Sequence, residues 1–214
     1  METTPVRSER CPRLTHDARC NHVIEAAVRL FAQKGFQGTK TKEIAEASGV
    51  NEALIFRDFQ TKEKLYCAIL QYASRRITPQ EWIEALAPHA ERRDDEALFA
   101  DLARQLFESF GRDPTLFRLM LYCALEQHEL AREFRKRQIE PVERFIEEYM
   151  RTRQKEGAFP KADAHALAGS FLNMCLHHVL RQALFGQAED AAARDRTQPY
   201  RMYARIFLDG VRKH

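Results

Sequence analysis

The sequence is poor in the residues that form turns. It contains eight glycines and eight prolines among 214 residues, which is about 7% together where average proteins have roughly 12%. Few turns favour a mostly helical chain over a many-stranded sandwich or barrel. No run of 18 apolar residues occurs, which excludes a transmembrane helix, and the Arg-rich start of the chain lacks the apolar stretch of a secretory signal. The sequence therefore predicts a soluble, cytoplasmic, all-α protein without a membrane partner.

The cysteine and histidine patterns exclude other classes of protein. The five cysteines form no CxxC pair and are odd in number, so neither a disulfide framework nor a zinc ribbon is expected. His177 and His178 are adjacent and point about 100° apart on one helix, and no Cys–His spacing with ligand geometry is apparent. No nucleophile with a matching base and no phosphate-binding glycine loop stand out. We therefore expect no metal, no cofactor and no enzymatic activity.

The positive charge of the chain is concentrated in its first third. Residues 1–77 carry 13 Lys and Arg against 9 Asp and Glu, a net charge of +4, whereas residues 78–214 carry 21 against 22, a net charge of −1. A basic segment beside a nearly neutral remainder suggests a polyanion partner for the first part alone.

Helix signals follow one another closely along the chain. The first predicted helix ends at Gly35, because glycine adopts positive φ readily. A second, with Thr39 or Thr41 as its N-cap, ends at Gly49, and Asn51 caps a third. Further helices are expected over 94–110, 115–126, 129–155, 163–185 and from Pro199 onward. The helix over 129–155 contains Pro141, so a kink or a break is expected near Glu140.

The stretch 41–59 has the spacing of a known DNA-binding arrangement. Ala45, Gly49 and Ile55 hold positions 5, 9 and 15 counted from Thr41. The small alanine allows close packing of two helices, the glycine allows a tight turn, and the isoleucine fills the wedge between the helices. This pattern indicates a helix-turn-helix, whose second helix lies in the DNA major groove.

Around this pattern the chain resembles the TetR family of transcriptional regulators (AcrR-like). The resemblance is carried by Ala26-Ala27-x-x-Leu30-Phe31-x-x-Lys34-Gly35-Phe36, Thr39-x-Thr41-x-x-Ile44-Ala45, Gly49-Val50 and Phe56-Arg57-x-Phe59-x-x-Lys62-Glu63-x-Leu65. It implies a three-helix DNA-binding domain over residues 17–77, with the helix-turn-helix at 40–59, and a larger helical ligand-binding and dimerisation domain over 78–214. Residues 1–14 are expected to form a flexible arm.

Candidate DNA contacts follow from chemistry and from the family positions. The start of the second helix suits a phosphate, and Lys62 resembles the family's backbone-contacting lysine. The start of the third helix lies nearest the base edges, where a carboxylate accepts from cytosine and a methyl group contacts thymine. Phenylalanine replaces the family's usual tyrosine, and the following arginine is the candidate to replace its missing hydroxyl. The predicted contacts are Thr39, Lys40, Thr41, Asn51, Glu52, Ala53, Phe56, Arg57 and Lys62. Alternatively, the threonines are plain helix caps and Glu52 faces solvent.

The second domain is expected to hold the effector. The predicted pocket residues are large and apolar, with one histidine to orient a ligand: Phe107, Phe110, Phe117, Met120, Phe171, Met174 and His178. The alternative is that these residues are ordinary core. Two apolar helices, over 163–185 and 200–213, are expected to pair with their copies in a homodimer.

The sequence therefore predicts a dimeric, sequence-specific DNA-binding repressor that a small apolar ligand releases from a palindromic, double-stranded operator. The alternative is a helical small-molecule or metal sensor, or an interaction protein, without specific DNA binding.

Overall fold

The computed structural model describes residues 16–74, 78–111, 114–127, 129–185 and 199–211, and the predicted arm over 1–14 lies outside these ranges. Every regular element within them is helical, so the predicted all-α fold is confirmed. The helices are α1 (His16–Gly38), α2 (Thr41–Ser48), α3 (Glu52–Phe59), α4 (Lys62–Ser74), α5 (Pro79–Glu91), α6 (Asp95–Gly111), α7 (Thr115–Leu125), α8 (Glu129–Phe134), a π-helical segment (Arg135–Ile139), α9 (Glu140–Lys155), α10 (Ala164–Phe185) and α11 (Pro199–Val211). None of these helices has both the length and the apolar character of a membrane span.

Helix α1 is broken at Gly35, where the sequence predicts its end. Gly35 has φ 71° and ψ 178°, and helical residues resume as far as Gly38. A Cβ atom at Gly35 would lie 2.8 Å from both Glu126 Oε1 and Tyr122 Cδ1. Glycine is therefore required here twice, for its backbone conformation and for the close approach of α7.

The first four helices share a core that α7 completes. The rings of Phe31 and Phe36 lie 4.8 and 5.0 Å from the ring of Tyr66. Leu119 and Cys123 of α7 are buried in the same cluster, and the Tyr66 hydroxyl lies 2.8 Å from Cys123 Sγ. Although the expected domain boundary falls at residues 77/78, a later helix supplies part of the first core.

A second core is formed by α5, α6, α9, α10 and α11. The rings of Phe171 and Phe207 both lie against Phe99, at 4.8 and 5.0 Å. Near Glu140, where the sequence predicts a kink or a break, α8 passes through the π-helical segment into α9, which begins at Glu140. Proline at the start of α9 costs little, since the first N–H groups of a helix have no intrahelical partner.

A buried ionic cluster joins the start of α6 to α9. Asp95 is buried and accepts hydrogen bonds from Arg153 Nε at 2.9 Å, from Arg153 Nη2 at 3.1 Å and from the Tyr149 hydroxyl at 2.5 Å. The Arg153 side chain also donates to Glu156 Oε2 at 2.5 Å. The carboxylate and the guanidinium balance each other's charge in a place that water barely reaches.

Candidate DNA-binding surface and effector cavity

The turn between α2 and α3 has the geometry that the sequence predicts. Gly49 lies in the left-handed region at φ 66° and ψ 25°, and the Val50 N–H donates to the Ala45 carbonyl at 3.1 Å. Asn51 is the N-cap of α3, where its Oδ1 accepts from the Ala53 N–H at 2.8 Å. Ile55 is buried between the helices. The turn and the apolar wedge hold α3 against α2.

Most of the predicted DNA contacts lie on the surface of this unit. Lys40, Asn51, Ala53 and Arg57 are exposed, and Thr41 and Glu52 are half-buried. Phe56 is also exposed, at 45%, which is unusual for a phenyl ring that has no partner to contact. The surface of α3 therefore offers a polar amide, a methyl group, an aromatic ring and a cation together.

The prediction for the start of α2 is wrong in one respect. The N-cap is Lys40, and its side chain makes no cap hydrogen bond. Glu43 supplies the cap instead, because its carboxylate accepts from the Lys40 N–H at 2.9 Å and from Lys34 Nζ at 2.6 Å. These hydrogen bonds hold the pKa of Glu43 below its ordinary value.

The Thr39 side chain is turned away from a phosphate contact. It is 1% exposed, and its hydroxyl donates to the Gly35 carbonyl at 2.8 Å. The break at Gly35 leaves that carbonyl without its helical partner, and the hydroxyl replaces it. The prediction of Thr39 as a phosphate ligand is therefore corrected to a structural role at the end of α1.

Lys62 is bound within the protein. Its Nζ donates to the Phe36 carbonyl at 2.5 Å and lies 4.2 Å from the centre of the Phe36 ring. Burial lowers the pKa of Lys62, and the carboxylates of Glu63 and Glu126 oppose this shift. In this arrangement Lys62 stabilises the last turn of α1, and a phosphate contact by Lys62 stays a prediction.

Asp58 anchors α3 to α1, a role that the sequence did not predict. Its nearly buried carboxylate accepts from Arg19 Nε at 3.1 Å and from Arg57 Nε at 3.0 Å. Burial alone raises the pKa of Asp58, but the hydrogen bonds from Arg57 and Arg19 outweigh it, and the pKa lies below its ordinary value. Arg57 is thus oriented by Asp58, while its side chain remains 58% exposed.

The same place brings together three groups able to bind a metal. Ligand atoms of His16, Cys20 and Asp58 lie within 4.8 Å of one another, so the expectation that no Cys–His pair has ligand spacing is wrong at this position. His16 and Cys20 are four residues apart and so share one face of α1. However, Asp58 already binds two arginines, and burial, followed by the charge of Asp58, raises the pKa of the Cys20 thiol. The charges favour the anchoring of α3 as the role of this cluster.

A cavity of about 630 Å³ is lined by residues between Trp82 and Leu176, and its volume is within the range of small-molecule sites, roughly 300–1,000 Å³. It is bounded by α5, α6, α7, α8, the π-helical segment, α9 and α10 and is partly open to solvent. Its wall is mainly apolar and includes three of the predicted pocket residues, Phe110, Phe117 and Met120. The other apolar residues of the wall are Trp82, Leu106, Leu121, Ala124, Ala131, Phe134, Ile139, Val142, Leu172 and Leu176.

Four predicted pocket residues do not line this cavity. Phe171 is fully buried in the second core, and Met174 packs against that core. The Phe107 ring lies 4.4 Å from the His178 ring, and His178 Nδ1 lies 3.2 Å from the Tyr203 hydroxyl of α11. The face of α10 toward the cavity carries Leu172 and Leu176, one turn apart. The prediction placed a neighbouring face of α10, which carries Phe171, Met174 and His178, in the pocket.

Helix α7 belongs to the cavity wall and also contacts the end of α1. Its cavity residues include Phe117 and Met120. On its other side, Arg118 Nε donates to the Ala32 carbonyl at 3.2 Å, and the Tyr122 hydroxyl donates to the Gln33 carbonyl at 3.1 Å. The last carbonyls of α1 before Gly35 therefore bind to α7.

Beyond the break, Glu126 holds the other side of the same junction. Its carboxylate accepts from the N–H groups of Phe36 and Gln37, both at 3.2 Å. Glu126 directly follows α7 and precedes Gln127, which lines the cavity. The end of α7 is thus hydrogen-bonded to the segment that enters α2.

Comparison with known proteins agrees with this architecture. Residues 23–69 match the family model described as bacterial regulatory proteins, tetR family. Residues 98–210, more than half of the chain, match the C-terminal domain of AefR-like transcriptional repressors. The chain belongs to the TetR family. The resemblance seen in the sequence is confirmed, and the members of this family are transcriptional regulators rather than enzymes.

Individual relatives match over shorter stretches. The HTH-type transcriptional regulator YvkB of Bacillus subtilis is 47% identical over 55 residues, which are 25% of this chain and 29% of YvkB. The HTH-type transcriptional repressor Rv3405c of Mycobacterium tuberculosis is 34% identical over 95 residues, 44% of this chain and 50% of the relative. The chain thus spans half or less of the length of these curated relatives.

Solved structures match along nearly the whole chain. A TetR transcription regulator from Haloarcula marismortui has a TM-score of 0.62 and 20% identity, covering 92% of this chain and 100% of that one. The fatty acid degradation regulator FadR from Bacillus halodurans has a TM-score of 0.62 and 18% identity, covering 90% and 99%. At these identities the likeness is one of fold.

Proposed function

We propose that this TetR-family protein is a dimeric repressor that binds a palindromic operator and is released by a small, mainly apolar effector. The observation that carries the proposal is the surface of α3, where Asn51, Ala53, Phe56 and Arg57 are exposed above the buried Ile55. A helix held in this way can enter the major groove with its N-terminal residues at the base edges. The names of two matches, Rv3405c and the AefR-like family model, support repression rather than activation.

Dimerisation is supported by apolar side chains that remain exposed on the last two helices. Leu184 and Phe185 end α10, and Met202 and Ile206 lie on α11, all more than half exposed. Large apolar groups on adjacent elements are typical of an interface. A twofold dimer through α10 and α11 presents two copies of α3, which read half-sites about 34 Å apart, one turn of DNA.

Release by an effector is supported by the double role of α7. The helix forms one wall of the cavity through Phe117 and Met120, and Glu126 behind it holds the break in α1. A ligand that fits the cavity better with α7 displaced shifts the population toward a conformation with a different placement of α2 and α3. The protein acts in the cytoplasm, where its DNA is.

An Arg57→Ala variant tests the DNA-binding surface. Arg57 is the exposed cation of α3, so its loss is expected to lower the slope of log affinity against log salt by about one unit for each subunit. Fluorescence anisotropy with upstream DNA, measured at several salt concentrations, gives this slope. Arg151→Ala, an exposed arginine of α9 that pairs with Glu147, is the matched control and should leave the slope unchanged. Equal slopes for all three proteins would contradict the assignment of α3.

A further inference from the structure

We propose that the effector carries an anionic group, a carboxylate, at one end of its apolar body, and that Arg132 binds this group. The inference rests on the proposed function, because it names the chemical class of ligand that the cavity takes. It starts from the charges of the cavity wall. Among the described residues that line the cavity, the charged ones are Arg132 and Arg135, and none is acidic.

The two arginines lie on one side of the cavity. Arg132 belongs to α8 and Arg135 to the π-helical segment that follows it. Gln138 of the same segment and Gln127 just before α8 add amide groups to the wall, whereas Phe110, Leu172 and the other walls are apolar. A ligand that matches this wall has one polar, negatively charged end and an apolar remainder.

The two arginines differ in what already binds them. Arg135 is held by Glu143, with 3.1 Å between Nη2 and Oε2, and by Glu140 at 3.8 Å. For Arg132, no carboxylate of the described side chains lies within ion-pair distance. The positive charge of Arg135 is therefore balanced within the protein, and the charge of Arg132 is available to a ligand. An arginine guanidinium binds a carboxylate through two parallel hydrogen bonds.

The backbone at this wall departs from the regular helix. Arg135–Ile139 form a π-helical turn, and three of its residues, Arg135, Gln138 and Ile139, line the cavity. A π turn has one extra residue in each hydrogen-bonded ring, and such turns occur frequently at functional sites. The polar end of the cavity thus coincides with the one described helical region that is irregular in this way.

Trp82 provides a direct readout of cavity occupancy. It is the sole tryptophan of the chain and lines the cavity, so its fluorescence reports a ligand bound beside it. The probes are decanoate and 1-decanol, which share an apolar chain and differ in charge. We expect decanoate to bind at least tenfold more tightly than decanol. Arg132→Gln should raise the Kd of decanoate about tenfold, the equivalent of about 1.4 kcal/mol, and leave that of decanol unchanged.

Arg137→Gln is the matched control for this experiment. Arg137 lies in the π-helical segment that directly follows α8, is 70% exposed and pairs with Glu133 at 3.2 Å. It does not line the cavity. Its loss should leave both Kd values as in the parent protein. Unchanged decanol binding by Arg132→Gln shows at the same time that the variant is folded and its cavity intact.

Three results would overturn the inference: equal binding of decanoate and decanol, equal losses for the Arg132 and Arg137 variants, or no response of Trp82 to either probe. DNA binding by the same preparations separates this inference from the proposed function. If the protein binds upstream DNA but shows one of these results, the proposed function stands and the proposal of a carboxylate-bearing effector is refuted. If the protein binds decanoate through Arg132 but binds no DNA, the proposed ligand class stands and the proposed repressor function is refuted.

Discussion

Replacing Gly35 by alanine tests whether α7 is seated against the break in α1. The new methyl group would lie 2.8 Å from Glu126 Oε1 and from Tyr122 Cδ1. The Glu126 carboxylate could turn aside only by giving up its hydrogen bonds to Phe36 and Gln37. The ring carbon of Tyr122 could move only with α7, because the Tyr122 hydroxyl is held by the carbonyl of Gln33.

Two costs add up in this variant. The backbone at φ 71° and ψ 178° lies in a region almost restricted to glycine, where another residue costs about 1–3 kcal/mol. Inserting a methyl group into a filled contact costs about 1–3 kcal/mol more. We therefore expect Gly35→Ala to lower the free energy of unfolding by about 2–6 kcal/mol, a large part of the roughly 5–15 kcal/mol of a typical domain.

Gly49→Ala is the control, because it places a Cβ atom at a glycine of positive φ without any close contact. Gly49 also has positive φ, at 66°, but a Cβ atom there would meet nothing within 4 Å. Its replacement should cost only about 1–2 kcal/mol. Urea denaturation followed by circular dichroism gives both values, provided that the m-value stays constant. If Gly35→Ala costs no more than Gly49→Ala, the close contact between α1 and α7 is refuted.

Three further predictions address the ionic contacts. Glu126→Ala should reduce the effector-induced loss of DNA affinity several-fold while leaving effector binding unchanged, because α7 loses its hydrogen bonds to the N–H groups of Phe36 and Gln37. Fluorescence anisotropy of labelled DNA with and without decanoate measures this loss, and a loss as large as in the parent protein contradicts the prediction. Asp95→Asn should lower the free energy of unfolding by about 1.5–3 kcal/mol, because Arg153 and Tyr149 lose their charge-assisted hydrogen bonds to the buried carboxylate while Arg153 keeps Glu156. Urea denaturation checks this, and a cost under about 0.5 kcal/mol contradicts it. Asp58→Asn should destabilise the protein at neutral pH. The difference in unfolding free energy from the parent should shrink as the pH falls below about 4, because a carboxylate whose pKa is depressed in the folded state stabilises the fold above its unfolded pKa and loses that contribution on acidification. Urea denaturation at several pH values measures this difference, and a pH-independent difference contradicts the prediction.

Local signals in the sequence were enough to locate the helices around the candidate DNA-binding surface. The break at Gly35, the turn at Gly49 and the cap at Asn51 depend on the conformation or hydrogen bonding of a residue and its immediate neighbours. The same holds for Pro141, because a proline inside a helix removes a backbone hydrogen bond and kinks or breaks the helix. These features are visible in a sequence because the residue type itself signals the local backbone conformation, even where a distant contact, such as that of α7 with Gly35, adds to the requirement.

Features decided by distant residues could not be predicted in this way. The nearly buried Asp58 accepts a hydrogen bond from Arg19, 39 residues earlier, and Thr39 binds the Gly35 carbonyl at a break against which the distant Glu126 and Tyr122 pack. The sequence alone does not distinguish a carboxylate or hydroxyl that contacts DNA from one that makes a hydrogen bond within the protein. Only the packing of α1 against α3 and α7 distinguishes the two.

The cavity illustrates the same limit for apolar residues. The composition of α10 makes several of its faces suitable for burial, and Phe171 and Leu172 are neighbours in sequence. Which of them faces the cavity depends on the rotation of α10 relative to α6 and α7. Both belong to the second core, but only Leu172 also lines the cavity. Apolar pattern alone therefore predicts burial but does not distinguish a core from a pocket.

The central claim, that this protein is a sequence-specific repressor, is tested most directly by footprinting the purified protein on its own upstream DNA at about 50 mM and about 200 mM salt. The account predicts two protected half-sites related by twofold symmetry, with centres about one helical turn or a multiple of it apart, and protection that weakens strongly at the higher salt. A folded, dimeric protein that protects no sequence at either salt concentration would contradict it.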